Sequence, residues 1–285
     1  MKKLFNLIWK EFIYGGHSQC LGAVGIVYIS SFLLDIKVDS GILLATYLIF
    51  YPIYINDRFK WIQLDRLTNP ERTKHFETYL SLMPKLILLS ILFLLILLIY
   101  IGNFKFSIFA LLLLIFGLLY PLYFKNLTKQ IIAFKDFYVA MFFTAIAAAS
   151  VIYYSYPLST LMTVSLVGLM LLVFLKTVLM QILLDCKDIE SDKSLGLLTI
   201  PLLIGKEKTL SFLKISNASI TTLILLIAVF FRLFPIWMLI LLFTIPFNFY
   251  SYNLTQKGNY FGYLLGSGEF LFWLILVLFF KIIAL

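Results

Sequence analysis

Charged residues are scarce in this chain of 285 residues, at 13% against about 25% in ordinary soluble domains. The apolar residues instead make up 62%, and the mean hydropathy is +1.01. This composition excludes a water-soluble globular protein. Cysteine is scarce too, since Cys20 and Cys186 are the only two, which excludes a disulfide framework and a cysteine-rich zinc site. With 14 glycines and 8 prolines, collagen-like and low-complexity chains are also excluded.

Acidic residues are few and unevenly placed. Nine of the 14 lie in two segments, residues 57–77 and 185–208, while the chain as a whole carries a net charge of +9. A basic excess around two acidic segments is typical of a membrane protein that follows the positive-inside rule. It does not suit a nucleic-acid-binding protein, in which basic residues form a continuous patch.

Apolar stretches of about 20 residues, long enough to cross about 30 Å of hydrocarbon as helix, recur along the chain. The sequence predicts nine spans, at residues 18–34, 40–56, 79–101, 106–124, 137–154, 158–184, 209–231, 233–251 and 263–284. The alternating polarity of a transmembrane barrel is missing, so the spans are predicted to be helices. We therefore expect an all-α polytopic membrane protein.

The basic residues between these spans predict the orientation of the chain. With the N-terminus in the cytoplasm, sixteen of them lie on the cytoplasmic side, and four lie opposite: Lys37, Lys105, Arg232 and Lys281. The positive-inside rule then predicts a multi-pass protein of the cell membrane with a cytoplasmic N-terminus and an outer C-terminus. Both acidic segments become cytoplasmic loops.

The second acidic segment has the spacing of a metal site. Asp185, Asp188 and Asp192 are spaced i, i+3, i+7, so they project from one face if the sixth span continues as helix. Three acids at the C-terminal end of a helix repel one another and oppose the helix dipole. A bound cation would relieve this, and Mg²⁺ typically takes one or two carboxylates together with substrate phosphate oxygens. The competing interpretation is a solvated acidic loop.

The same segment resembles the second aspartate-rich motif of the UbiA superfamily of intramembrane prenyltransferases. The shared pattern is D-x-x-D-x-x-x-D-x-x-x-G-x-x-T-x-P-x-x-x-G, filled here by Asp185, Asp188, Asp192, Gly196, Thr199, Pro201 and Gly205. The resemblance implies one transmembrane prenyltransferase-like domain over residues 1–285, with nine helices bundled around a central cavity and cytoplasmic loops as a cap. It further implies that Mg²⁺ joins two motifs, at residues 56–72 and 185–205, to an isoprenyl diphosphate.

The first segment matches its family motif, N-D-x-x-D-x-x-x-D-x-x-x-N-P-x-R, only in part. Its end agrees, with Asp65 followed by Asn69, Pro70 and Arg72. Counting back from Asp65 puts Asp57 at the family's Asn, Arg58 at the adjacent Asp and Trp61 at the middle Asp. A bulge that brings Asn56 into register is the alternative. Asp57, Trp61 and Asp65 form one helical stripe, and we expect Asp57 and Asp65 to complete a weakened metal site beside Trp61.

Cationic residues are expected to hold the diphosphate, because phosphate oxygens bind Arg in a bidentate fork and Lys as a point charge. The predicted substrate-binding residues are Asn69, Arg72, Lys125, Lys135, Lys187, Trp61 and Lys176. For the three loop lysines, the positive-inside rule alone is an alternative explanation. Lys176, deep in the sixth span, either faces a carboxylate or substrate in the bundle or snorkels to the surface.

The leading hypothesis is Mg²⁺-dependent transfer of a prenyl group from an isoprenyl diphosphate to a lipophilic acceptor in the membrane. The metal-binding and catalytic residues are then Asp57, Asp65, Asp185, Asp188 and Asp192. Two alternatives stay open: a terpene cyclase of the same superfamily, and a non-catalytic isoprenoid-lipid binder or transporter with an altered first motif. The acceptor and the donor chain length are not encoded in any motif of the sequence.

Overall fold

The fold is taken from a computed structural model that describes residues 2–284, with side chains for residues 5–283. Two of the sixteen basic residues predicted to be cytoplasmic, Lys2 and Lys3, have side chains outside the described part. The described residues form fourteen α-helices and three 3₁₀-helices, with no strand among them. The α-helices are α1 (Lys2–Tyr14), α2 (His17–Leu33), α3 (Ser40–Thr68), α4 (Pro70–Glu77), α5 (Met83–Ile101), α6 (Phe104–Leu119), α7 (Phe134–Ile146), α8 (Ala149–Tyr154), α9 (Thr160–Ser194), α10 (Ile200–Ile204), α11 (Lys206–Phe230), α12 (Thr244–Gln256), α13 (Phe261–Ser267) and α14 (Glu269–Ala284). The 3₁₀-helices are Leu80–Leu82, Phe124–Lys129 and Ile236–Phe243.

Among the described residues, four continuous helical segments are long and apolar enough to cross a membrane: Leu80–Ile101, Thr160–Ser194, Lys206–Phe230 and Ile236–Gln256. A fifth arises if α13 and α14, bent by 59° at Gly268, form one span. The nine predicted spans are therefore not confirmed as nine full-length helices. α2 and α6 have only 17 and 16 residues. The stretch 137–154 is divided between α7 and α8, and α3 carries a polar second half.

α9 determines where the second motif lies. Its first turn is capped by Ser159, whose side chain accepts a hydrogen bond from the backbone N–H of Met162. At about 1.5 Å per residue, its 35 residues extend about 52 Å, well beyond a hydrocarbon core of about 30 Å. The helix continues through Asp185, Asp188 and Asp192 to Ser194, so the predicted continuation of the sixth span is confirmed.

α3 carries the first motif in its second half and is not a straight helix. The backbone of Trp61 leaves the helical region, with φ −109° and ψ 17°, which kinks the helix inside the motif. The helix ends at Thr68 because Pro70 disfavours a helical conformation at the residue before it. Pro70 then occupies the first turn of α4, where its missing N–H costs no hydrogen bond.

The central packing brings α14 close to α2. A Cβ on Gly25 would lie 2.9 Å from the Cβ of Leu274 and 3.0 Å from the carbonyl oxygen of Phe270, closer than normal contact. Small residues at such crossings let membrane helices approach closely. Trp273 and Phe270 of α14 are consequently almost fully buried in the same core.

Candidate functional site

A single cavity of about 210 Å³ receives side chains from both predicted motifs. By the rule that one water needs about 10–15 Å³, this volume holds on the order of fifteen waters, enough for a diphosphate group. Ten of the twelve predicted site residues line it: Asp57, Trp61, Asp65, Arg72, Lys125, Lys135, Asp185, Lys187, Asp188 and Asp192. The tertiary structure thus brings together two segments that lie more than 100 residues apart in the chain.

Lysines hold the carboxylates of the second motif in place. The ammonium of Lys135 lies 2.8 Å from Asp185 Oδ1 and 2.7 Å from Asp192 Oδ2. All three residues are buried. Asp188 Oδ1 accepts hydrogen bonds from Thr68, Asn69 and Lys187 at 2.8–3.0 Å. Charge-assisted hydrogen bonds are stronger than neutral ones. The contacts of Asp188 therefore hold the C-terminal end of α3 against α9.

Asn69 is the junction between the two motifs. Its Nδ2 donates to Asp188, while its Oδ1 accepts from the Lys187 ammonium at 2.7 Å and from the Tyr260 hydroxyl at 3.0 Å. The amide is almost fully buried. Asn69 does not line the cavity and instead positions Lys187 and Asp188, which do.

Arginines accompany the carboxylates of the first motif. Arg72 donates to Asp65 Oδ2 at 2.8 Å. The guanidinium of Arg58 lies between the motif's two acids, 3.4 Å from Asp65 Oδ2 and 3.5 Å from Asp57 Oδ2. The Arg58 guanidinium also lies 5.0 Å from the centre of the Tyr54 ring. Each carboxylate of this motif therefore has a cationic partner supplied by the protein.

Trp61 and Lys125 form a cation–π pair on the cavity wall. The Lys125 ammonium lies 4.6 Å from the centre of the indole ring, and both residues line the cavity. Burial lowers the pKa of Lys125, and the nearby Asp57 carboxylate offsets this only in part. A cation in such surroundings gains from an anionic ligand.

The sequence matches the model of the UbiA prenyltransferase family over residues 85–260, which is more than half of the chain. The protein belongs to the UbiA prenyltransferase family.

Two solved structures share the fold of this UbiA family member. One, described as giving structural and mechanistic insights into digeranylgeranylglyceryl phosphate synthase in membranes, is 19% identical with a TM-score of 0.55, and the match covers 98% of this chain and 97% of the other. The other is the apo structure of a UbiA homolog from Aeropyrum pernix K1, 14% identical with a TM-score of 0.68, covering 93% and 98%. No curated protein sequence matches the chain. The predicted UbiA-like helical fold is confirmed.

UbiA family enzymes generally use Mg²⁺, and the carboxylates here differ in how well they suit such an ion. Asp185 Oδ2 is buried without a hydrogen-bond partner, as are both carboxylate oxygens of the adjacent Asp136. Hard oxygens of this kind are what Mg²⁺ binds. Within the described residues, no group of three or more acidic, histidine or cysteine side chains forms a complete metal site. The oxygen ligands of the second motif therefore fit Mg²⁺ chemically, and Asp57 Oδ1 of the first motif is also a buried oxygen without a partner.

Some residues at the site lie outside both motifs, so the sequence did not predict them. Tyr260 meets Asn69 across 191 residues of chain. Asp136 lies directly after Lys135 but outside both acidic segments, and its charge in an apolar helix was the available signal. Tyr120 and Tyr138 line the cavity, whereas spacing alone does not separate cavity tyrosines from those of the membrane interface.

Lys176 requires a correction, because it does not line the cavity as the predicted substrate contact would. Its ammonium is fully buried and lies 2.6 Å from Glu269 Oε1 at the start of α14. It also donates to Asn217 and, at 3.3 Å, to Thr221. The physical reason is that Glu269 supplies a buried counter-charge away from the cavity, so Lys176 does not snorkel and does not line the cavity.

Proposed function

We propose that this UbiA family member transfers a prenyl group from an isoprenyl diphosphate to a lipophilic acceptor within the membrane. The observation that carries the proposal is the mixed lining of one cavity. Carboxylates and cations of both motifs line it together with apolar side chains, among them Phe50, Phe142 and Phe143. This lining suits a substrate with a charged diphosphate group and an apolar chain.

The cations would bind the diphosphate. Arg72 can make a bidentate contact, and Lys125, Lys135 and Lys187 act as point charges. In the reaction, the bond between the allylic carbon and the diphosphate oxygen breaks, and the electron pair leaves with the oxygen. These cations stabilise the charge that develops on the leaving group. The acceptor's carbon or oxygen then bonds to the allylic carbon and releases a proton.

The proposed metal is Mg²⁺, held by Asp185, Asp188 and Asp192. When bound, the ion supplies positive charge that neutralises the departing diphosphate. Lys135 bridges two of these carboxylates and keeps them close together. The metal role predicted for Asp57 and Asp65 stays a prediction.

Aromatic side chains would protect the allylic cation. Tyr120 and Tyr138 line the cavity and present π-systems, whose faces attract cations. They also exclude water, which would otherwise capture the cation and yield an alcohol.

Diphosphate release from the purified protein in liposomes tests the proposal. The donor is geranylgeranyl diphosphate with Mg²⁺, and the acceptors are quinone precursors, a glycerol-phosphate lipid, a chlorin and haem, each added in turn. The glycerol-phosphate lipid comes first, because one protein of the same fold is a digeranylgeranylglyceryl phosphate synthase. Asp188→Ala should abolish release. Glu190→Ala, an exposed acid on the same helix, should leave release intact.

Diphosphate release that persists in Asp188→Ala would refute the proposal. Two further outcomes favour the alternatives from the sequence. Cyclic hydrocarbon products without an acceptor indicate a terpene cyclase, and geranylgeranyl diphosphate binding without turnover on any acceptor indicates an isoprenoid-lipid binder.

We also propose that both motifs face the cytoplasm, as the distribution of basic residues predicts. Cysteine labelling tests this orientation. A cysteine introduced at the exposed Lys193 should react with a membrane-impermeant reagent only from the cytoplasmic side, and labelling of intact cells would contradict it.

A further inference from the structure

We propose that the diphosphate binds on the first-motif side of the cavity through the protein's own cations, Arg58 of the motif and Lys125 beside it, and that a divalent ion binds at the second motif alone. This inference rests on the proposed function, because it concerns the same diphosphate site. It replaces the metal role that the sequence predicts for Asp57 and Asp65.

In the first motif two guanidinium groups accompany two carboxylates, whereas in the second motif two lysines accompany three carboxylates. Arg58 lies 3.5 Å from Asp57 and 3.4 Å from Asp65, and Arg72 lies 2.8 Å from Asp65. A metal ion that bound both acids would have to separate them from two guanidinium groups in a largely buried site. Removing one partner of a buried ion pair leaves an uncompensated charge, which is strongly unfavourable.

Trp61 stands where the family pattern has an aspartate. An indole offers no oxygen ligand to Mg²⁺, and here its face instead holds the Lys125 ammonium at 4.6 Å. A ring face attracts a cation without neutralising its charge. Lys125 therefore presents its ammonium to an anion in the cavity.

The two sides of the cavity wall differ in formal charge. On the first-motif side three cations face two carboxylates, for a formal charge of +1: Arg58, Arg72 and Lys125 against Asp57 and Asp65. On the second-motif side two cations face three carboxylates, for a formal charge of −1: Lys135 and Lys187 against Asp185, Asp188 and Asp192. Coulomb interactions direct a divalent cation to the second side and a diphosphate oxygen to the first.

Counting bound metal ions tests the inference. Mn²⁺ binding to the purified protein with inorganic diphosphate, followed by electron paramagnetic resonance, should give one ion per chain. Asp57→Asn should leave this number unchanged, and Asp185→Asn should reduce it. The double variant Arg58→Asp/Trp61→Asp, which restores two carboxylates, should bind a second ion. Two ions in the unaltered protein with one lost in Asp57→Asn, or no bound ion at all, would overturn the inference.

Diphosphate affinity provides an independent measurement. Arg58→Gln and Lys125→Gln should each weaken binding of inorganic diphosphate about tenfold or more, because each loses a hydrogen bond to a charged group. The matched controls are Lys60→Gln and Lys129→Gln, exposed lysines near each site. Unchanged affinity in Arg58→Gln and Lys125→Gln would refute the role of these cations. Both experiments measure binding, so a protein that binds without turnover contradicts the proposed function and not this inference.

Discussion

Breaking the ion pair between Lys176 and Glu269 should strongly destabilise the protein, because the remaining charge would be buried without a partner in the helical bundle. The two side chains are 0% and 3% exposed, and their nearest atoms lie 2.6 Å apart. Trp273 Nε1 donates a further hydrogen bond to Glu269 at 3.3 Å. Lys176→Met keeps the apolar length of the side chain and leaves the glutamate without its cation.

The expected loss can be estimated from the two contributions involved. Hydrogen bonds between membrane helices contribute only about 0.6 kcal/mol each, so the loss of contacts with Asn217 and Thr221 is small. Leaving one charge of a buried pair uncompensated costs about 3–5 kcal/mol. With about 2–4 °C per kcal/mol for a chain of similar size, Lys176→Met should lower the melting temperature by on the order of 10 °C.

The double variant Lys176→Met/Glu269→Gln separates charge from packing. It removes both charges and keeps a carbonyl oxygen for Trp273, so most of the lost stability should return. The assay is thermal unfolding in detergent, read from the monodisperse fraction on size exclusion after heating. Lys214→Met, on the surface of α11 beside Gln256, is the control and should change little. Equal melting temperatures for the single and double variants would refute the reasoning.

Two further predictions concern the region where α1, α2 and α4 meet. A methyl group on Gly16 would overlap the ring of Tyr54, and its φ of +81° already disfavours a side chain. Gly16→Ala should therefore lower the melting temperature more than Gly258→Ala, which has a similar φ of +76° but open space around it; equal losses would contradict the steric argument. For Glu11, burial would raise the pKa, but hydrogen bonds with His17, His75 and Tyr79 outweigh it and lower the pKa to about 2. A lowered folded-state pKa stabilises above the unfolded value of about 4.3 and loses that effect as the pH falls through about 2. The melting temperatures of the unaltered protein and Glu11→Gln should hence differ at pH about 6 and converge between pH about 4 and 2, and a constant difference over that range argues against these three contacts.

Much of the second motif could be predicted because it depends on local geometry. The period of an α-helix alone determines that Asp185, Asp188 and Asp192 share a face, and the structure has them on one helix lining one cavity. The first motif was predicted less completely. Its residues do reach the cavity, but the kink at Trp61 depends on surroundings that a helical stripe does not describe.

The number of spans also depended on more than hydropathy. Apolar composition identifies where the chain is buried in lipid, but it does not show where a helix breaks. The hydropathy pattern predicts neither the bend at Gly268 nor the division of α7 from α8. Each helix break shortens a span that the hydropathy pattern predicts to be continuous.

By itself, the sequence determined that this is a helical membrane protein with two polar motifs, because composition and helical period are properties of the chain alone. Only the tertiary structure decided which charges meet. Lys135 reaches Asp192 across 57 residues, and Asn69 reaches Asp188 across 119. The cation on Trp61 likewise comes from a different segment, Lys125. Such partners are set by long-range packing in a low-dielectric interior, where each buried charge needs a counter-charge whose position no local pattern encodes.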